Sequence, residues 1–350
     1  MNIVEVDALS ALRAQFPSST GYFAACTVGL PMASTRDAIL SDLATAPDVA
    51  RYNRAVEASR AHFARLVSVA SDRIAIGSQT SVQVSLLAAS LPDGAEVLVP
   101  EHEFSSLVMP FVHAGRGIRV RTAPLSQLAA AITPTTALVA FSAVQSACGH
   151  VADIDAICAA AAVVGARTVC DATQAVGWMP VDAVRFDALL CHTYKWLCCP
   201  RGVSFLALSE DYARTLTPVQ AGWYAGDDPW SSCYGGGAEL ATSARRFDVS
   251  PAWQAFVGAE PALRAFAEAD MAELHAHATG LAARFRRALG IDQPDIASAI
   301  VTWLDPDGAD LARLTAASLI ASGRNGRARL AFHVFNDDAD VDRAVAVLRR

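Results

Sequence analysis

The chain alternates short apolar runs with longer stretches whose apolar positions recur at helical spacing. Runs at 73–77, 96–100, 118–121, 138–142, 166–170, 188–191 and 201–208 have the length and composition of strands. Between them, 80–91, 107–113, 125–131 and 153–165 read as helices. This alternation predicts an α/β fold, a mostly parallel sheet covered by helices on both faces. Ahead of it lie a short helix at 7–16 closed by Pro17, an extended piece at 22–26, and helices at 33–46 and 48–69. Residues 217–247 lose periodicity and are rich in Gly, Trp and Tyr, as a functional loop or a packed surface meander would be. Pro251 opens a helical stretch to 289 with a break expected near Pro261. Strands at 299–304, 318–322 and 328–334, with helices at 311–317 and 341–348, then predict a smaller α/β unit. The expected division is an N-terminal segment 1–20, a large domain 21–250 and a small domain 251–350.

Composition narrows the class. Of 350 residues, 53% are hydrophobic and 18% charged, which supports a large buried core and argues against disorder. A net charge of −7 argues against a nucleic-acid partner. The first seven residues are acidic and lack the apolar segment of a secretory leader, and the longest apolar run, 156–166, is too short to span a bilayer. Eight cysteines without a Cys-x-x-Cys pair read as free thiols of a reducing, cytoplasmic compartment. His275 and His277, two apart on a helix, face different ways, and no other cluster has metal spacing, so no metal is expected.

The chemistry centres on Asp171 and Lys195. Asp171 closes the strand at 166–170, and an acid at the carboxyl end of an inner strand points into the crevice where α/β sheets bind ligands. The next apolar strand delivers Lys195 to the same edge. An acid and an amine so placed can grip the two ends of one planar cofactor. Pyridoxal phosphate needs both: a lysine for the Schiff base and an acid to hold the ring nitrogen protonated. Gly77-Ser78-Gln79-Thr80 turns a strand into a helix, and such an N-terminus either caps itself or binds an anion.

Asp171-x-x-Gln174-x-x-Gly177, Pro180-Val181-Asp182, Phe186-Asp187 and Lys195 with Pro200-x-Gly202 together resemble the class V aminotransferase family of fold-type I pyridoxal-phosphate enzymes. The resemblance runs from about Tyr22 to the C-terminus. It implies a central sheet sandwiched by helices, a small α/β C-terminal domain, a homodimer, and chemistry on a small amino-acid substrate. Residue by residue it implies Lys195 as the covalent anchor and proton shuttle, and Asp171 as the partner of the ring nitrogen. Gln174 then donates to the phenolic oxygen, Gln79 and Thr80 hold the phosphate with His192 and Tyr194, and Phe104 stacks on the ring. Arg329, in the run 328–334, matches the arginine that clamps the substrate carboxylate, with Arg327 and Arg324 as neighbours that could be confused with it.

The sequence departs from the cysteine desulfurases of that family. These carry a nucleophilic cysteine on a loop shortly before the arginine strand. Here 322–327 runs almost straight into Arg329, and no cysteine follows Cys233. The expected reaction is therefore β-elimination on a cysteine-derived substrate, a C–S lyase. Cysteine desulfurase, aminotransferase and epimerase are the enzyme alternatives, and a catalytically silent binding or regulatory member is the alternative outside catalysis. Cys233, within 217–247, is the one thiol that could still serve a desulfurase.

Overall fold

The computed structural model of the chain describes residues 8–349. The acidic first seven residues, including Asp7 at the expected helix start, lie outside the described residues. Helices α1 (Ala8–Ala14), α2 (Ala33–Leu43) and α3 (Val49–Leu66) come first. Asp48 caps α3 by accepting from the amides of Ala50 and Arg51. The α/β alternation follows: β1 (Ile74–Gly77), α4 (Thr80–Ala89), β2 (Glu96–Pro100), α5 (Ser105–Val112), β3 (Arg119–Ala123), α6 (Leu128–Ala131), β4 (Thr136–Ser142), α7 (Ile154–Val164), β5 (Arg167–Asp171), β6 (Ala188–His192) and β7 (Ser204–Leu208). A short helix absent from the sequence reading, α8 (Glu210–Thr215), follows β7 and is capped by Ser209.

These strands form one seven-stranded sheet in the order β1-β7-β6-β5-β4-β2-β3. Only β7 runs against its neighbours. Alternate residues feed opposite cores: Val139, Phe141 and Cys170 join one apolar cluster, and Leu138, Ala140 and Val169 join the other. With both faces buried, the inner strands read as continuous apolar runs. The carboxyl ends of β1, β4, β5 and β6 end on Gly77, Ser142, Asp171 and His192, and these ends frame a single crevice.

Beyond residue 250 the chain forms α9 (Trp253–Glu268), α10 (Met271–Leu289), β8 (Ile300–Leu304), α11 (Ala309–Ala316), β9 (Ser322–Arg324), β10 (Arg327–Ala331) and α12 (Asp338–Leu348). The break expected at Pro261 does not occur there. Pro261 sits buried inside α9, and the helices part at Ala269–Asp270, where Asp270 caps α10. The packing of α9 along α2 and α3 holds the helix together across the proline. The strand expected at 318–322 begins only at Ser322, because Ile320 instead bridges to Tyr22. β8, β10 and β9 make a separate antiparallel sheet with its own core under α10 and α12. No helix among the described residues is long and apolar enough to cross a membrane.

A buried ion pair ties the segment after the 217–247 loop to the sheet. Arg60 of α3 donates to both oxygens of Asp248, at 3.2 and 2.7 Å, and Asp248 also accepts from the Ile76 amide of β1. Both side chains are inaccessible to solvent. Without Asp248 the buried Arg60 keeps only the half-exposed Glu57 as a counter-charge. Asp248→Ala is therefore expected to lower the unfolding free energy by about 3–5 kcal/mol. Urea unfolding checks this, and a loss under ~1 kcal/mol would show that the pair is not the tie described here.

Candidate active site

The crevice is lined by Gln79, Thr80 and Ser81 from the start of α4, and by Phe104, Ser142, Ser146, Asp171, Thr173, Gln174, His192, Tyr194, Lys195 and Arg201. Each expected cofactor-binding residue thus faces one space. Asp171 is buried, and its Oδ1 accepts from the Thr173 amide at 2.9 Å. Burial raises its pKa and the Lys195 cation works against that rise. Lys195 is buried too, and burial brings its ammonium down to about 8 against the pull of Asp171. A larger share of its amine is neutral at physiological pH than in a surface lysine. Lys195 is the single lysine among the chain's 28 Lys and Arg residues. A composition this biased towards arginine keeps a lysine only where a guanidinium cannot substitute, and a guanidinium is no nucleophile near neutral pH. That signal was present in the sequence.

The loop carrying Lys195 is pinned from three sides. Trp196 Nε1 donates to Gln174 Oε1 at 2.8 Å. His333 Nε2 donates to the Trp196 carbonyl at 2.9 Å, and its ring stacks on that indole. The Gly29 amide donates to the Tyr194 carbonyl at 2.8 Å. Two glycines permit this closeness. A Cβ at Gly29 would lie 2.0 Å from the Lys195 carbonyl oxygen. Gly177, at φ +114°, would put one 2.7 Å from the Trp196 carbonyl oxygen.

At the α4 end, Gln79 occupies the N-cap position without a capping side-chain hydrogen bond, so the first amides of the helix stay available to an anion. His192 Nε2 is buried without a partner, and burial with Arg201 and Lys195 nearby takes its pKa down to about 4. Arg201 stands 4.5 Å over the Tyr194 ring. It is a site residue that the sequence reading passed over. Phe104 is 42% exposed, and its ring centre is 5.3 Å from Lys195 Nζ. Glu103, beside it, accepts from the Ser142 amide and hydroxyl and from Gln145, which fixes that loop to β4. Gln174 spends its two amide protons on the Cys26 carbonyl and Ser146 Oγ, at 2.9 and 3.1 Å. Donation to a phenolic oxygen would require one of these bonds to give way.

Arg329, not Arg327, points to this side. It is 1% exposed, and its guanidinium reaches Ser322 Oγ, both oxygens of Ser146, and Thr27 Oγ1 at 2.8 Å. All these partners are neutral. Cys26, read from sequence only as one of eight free thiols, lies here as well: it is buried, its thiol is 3.9 Å from Ser322 Oγ, and its carbonyl accepts from Gln174. Cys233 does not line the crevice. Its thiol donates to the Pro229 carbonyl within the 217–247 segment, where Trp223 packs on Tyr224 and Trp230 as a local aromatic cluster.

The sequence pattern of the Aminotransferase class-V family matches residues 46–296. The chain belongs to this family. It is 31% identical over 188 residues to isopenicillin N epimerase of Amycolatopsis lactamdurans, an alignment covering 47% of this chain and 46% of that protein. It is 30% identical over 187 residues to a probable cysteine desulfurase of Methanothermobacter thermautotrophicus, covering 50% and 47%. The chain thus spans about half the length of these curated relatives. Among solved structures, the cystine C–S lyase C-DES in complex with cysteine persulfide superposes with a TM-score of 0.84 at 19% identity, covering 95% of this chain and 98% of that one. The Escherichia coli cysteine desulfurase CsdA gives 0.84 at 18% identity, covering 97% of each. At such identities the likeness is one of fold. The family's cofactor, pyridoxal phosphate, fits the residues present. An uncapped helix start, an orphan imidazole nitrogen and Arg201 suit its phosphate, and Asp171 and Lys195 suit its ring nitrogen and aldehyde.

His333 adds a pH dependence to the Lys195 loop. It is fully buried, and burial takes its pKa from 6.5 to about 4. The unfolded chain therefore holds this proton more tightly, so stability is fully present above about pH 6.5 and is lost as pH falls towards 4. Between pH 7.5 and 5 this one group is expected to remove about 2 kcal/mol of unfolding free energy. Urea unfolding of the wild type and of His333→Gln at both pH values measures it. Equal pH slopes in the two proteins would contradict the assignment.

Proposed function

We propose that the chain is a pyridoxal-phosphate-dependent C–S β-lyase acting on a cysteine-derived amino acid, working as a homodimer. The observation that carries the choice is the β9–β10 hairpin. Arg324 pairs with Arg327, and Asn325 and Gly326 form the whole turn, at φ +51° and +68°. A two-residue Asn-Gly turn is the tightest hairpin connection and has no room for a thiolate-bearing loop before Arg329.

The cofactor supplies an electron sink for negative charge at the substrate α-carbon. Lys195 would hold it, and its free amine would take the substrate α-proton. Asp171, oriented by Thr173, would hold the ring nitrogen protonated. Phe104 would cover the ring face and contribute no proton. Arg329, held by neutral hydroxyls and a carbonyl, gains its first counter-charge when the substrate carboxylate arrives. Loss of the α-proton is followed by cleavage of the Cβ–S bond. The thiol leaves with the bonding electrons and a proton, and the enamine fragment hydrolyses to pyruvate and ammonia.

One observation favours a second reading, the desulfurase. The Cys26 thiol lies beside Ser322 Oγ, a partner of Arg329, and a thiol there could attack a substrate sulfur. Product analysis with cysteine conjugates separates the two. The lyase gives pyruvate and ammonia in equal amounts, and Cys26→Ser keeps most of the activity. Stoichiometric alanine with a persulfide trapped on Cys26 overturns the lyase in favour of the desulfurase.

A further inference from the structure

A second cavity of about 880 Å3 opens between the large sheet's helices and the C-terminal unit, and it shares no lining residue with the crevice of Lys195. Cys148, half-buried, and His150 both line it. They sit on a tight loop closed by the Val144–Val151 bridge and by the Gln145 amide donating to the His150 carbonyl at 2.8 Å. The loop cannot drift. Gly149, at φ +75°, lies so close to Ile300 that a Cβ there would meet it at 2.8 Å. The Cys148 carbonyl accepts from Thr302 Oγ1 at 3.1 Å, and that oxygen accepts in turn from Arg327 Nε at 3.2 Å.

We propose that Cys148 and His150 form a thiolate–imidazolium pair that exchanges with small disulfides entering this cavity, making Cys148 a reversible modification site. Cys148, His150 and Arg327 all line the cavity, so a half-buried thiol, an imidazole and a guanidinium face one space. His150 and Arg327 favour the thiolate and hold the Cys148 pKa below its ordinary value, against burial. The thiolate raises that of His150, while Arg327 and Arg286 oppose the second charge on the ring. Glu101, His102, Asp153 and Asp295 stand in the cavity walls. Low pKa with access is what makes a thiol reactive. The other partly exposed thiols lack the arrangement: burial raises the Cys158 pKa, and the Cys233 thiol is committed to the Pro229 carbonyl.

In the step, the Cys148 thiolate attacks one sulfur of R–S–S–R. A Cys148–S–S–R bond forms, and R–S− departs with the electron pair of the broken bond and takes a proton from His150 or water. Cys148 is oxidised and the departing sulfur is reduced; a free thiol reverses the exchange. The adduct would sit two residues from Ser146, whose oxygens hold Arg329. On the carboxylate reading of Arg329, modification therefore weakens substrate binding.

The test is to treat the purified holoenzyme with cystine from pH 6 to 9, quench by alkylation and map the peptides. Cys148 is expected to be modified at least tenfold faster than Cys158 and Cys233 at pH 6.5. Its rate should stay nearly level where theirs fall tenfold per pH unit, and His150→Gln should remove the advantage. The modified wild type should show a raised KM, and Cys148→Ser treated alike should not. Equal rates at the three cysteines, or a Cys148 rate that follows the same pH slope as the others, would overturn the site even if His150→Gln fails to fold. A mapped Cys148 adduct with unchanged KM would overturn the link to Arg329 alone.

Discussion

Everything in the active site depends on burying an acid and an amine together at the ends of adjacent parallel strands. β5 and β6 are the inner strands of a sheet covered on both faces, so whatever closes them leaves water. Asp171 and Lys195 are both costly there alone: burial pushes the acid up and the amine down, and each opposes the shift of the other. A ligand presenting a cationic nitrogen to one and a carbonyl carbon to the other relieves both costs at once.

The chain as a whole carries −7, yet the crevice is cationic. Lys195, Arg201, Arg324 and Arg329 converge on it, while Glu103 is engaged by Ser142 and Gln145. This local field favours an anionic ligand independently of net charge. Arg329 links the two parts of the chain. It stands on the small sheet, but its hydrogen bonds reach Ser146 after β4 and Thr27 near the N-terminus. It thereby ties the small sheet to the loop after β4 and to the N-terminal segment.

The sheet was legible because inner parallel strands are continuous apolar runs, and Asp171 and Lys195 were legible because one ends such a run and the other follows closely on the next. What escaped the sequence lies in tertiary packing. Pro261 reads as a break, but α2 and α3 hold α9 straight through it. The strand at 318–322 reads as apolar sheet, but Ile320 spends its backbone on Tyr22. Cys26, Arg201 and Ser146 carry no local pattern that distinguishes them from other Cys, Arg and Ser residues. Only the approach of segments far apart in sequence brings Arg201 and Ser146 to the crevice and Cys26 beside Ser322, a partner of Arg329. The single lysine was the exception, a compositional signal that needs no structure.

The most direct measurement is reduction of the cofactor-loaded protein with borohydride, followed by peptide mapping. Because the chain has one lysine, a pyridoxyl group has one side-chain destination, and the predicted result is stoichiometric labelling of Lys195 with loss of the yellow absorbance. A protein that takes up no pyridoxal phosphate, or carries the label only on its α-amino group, would contradict the site.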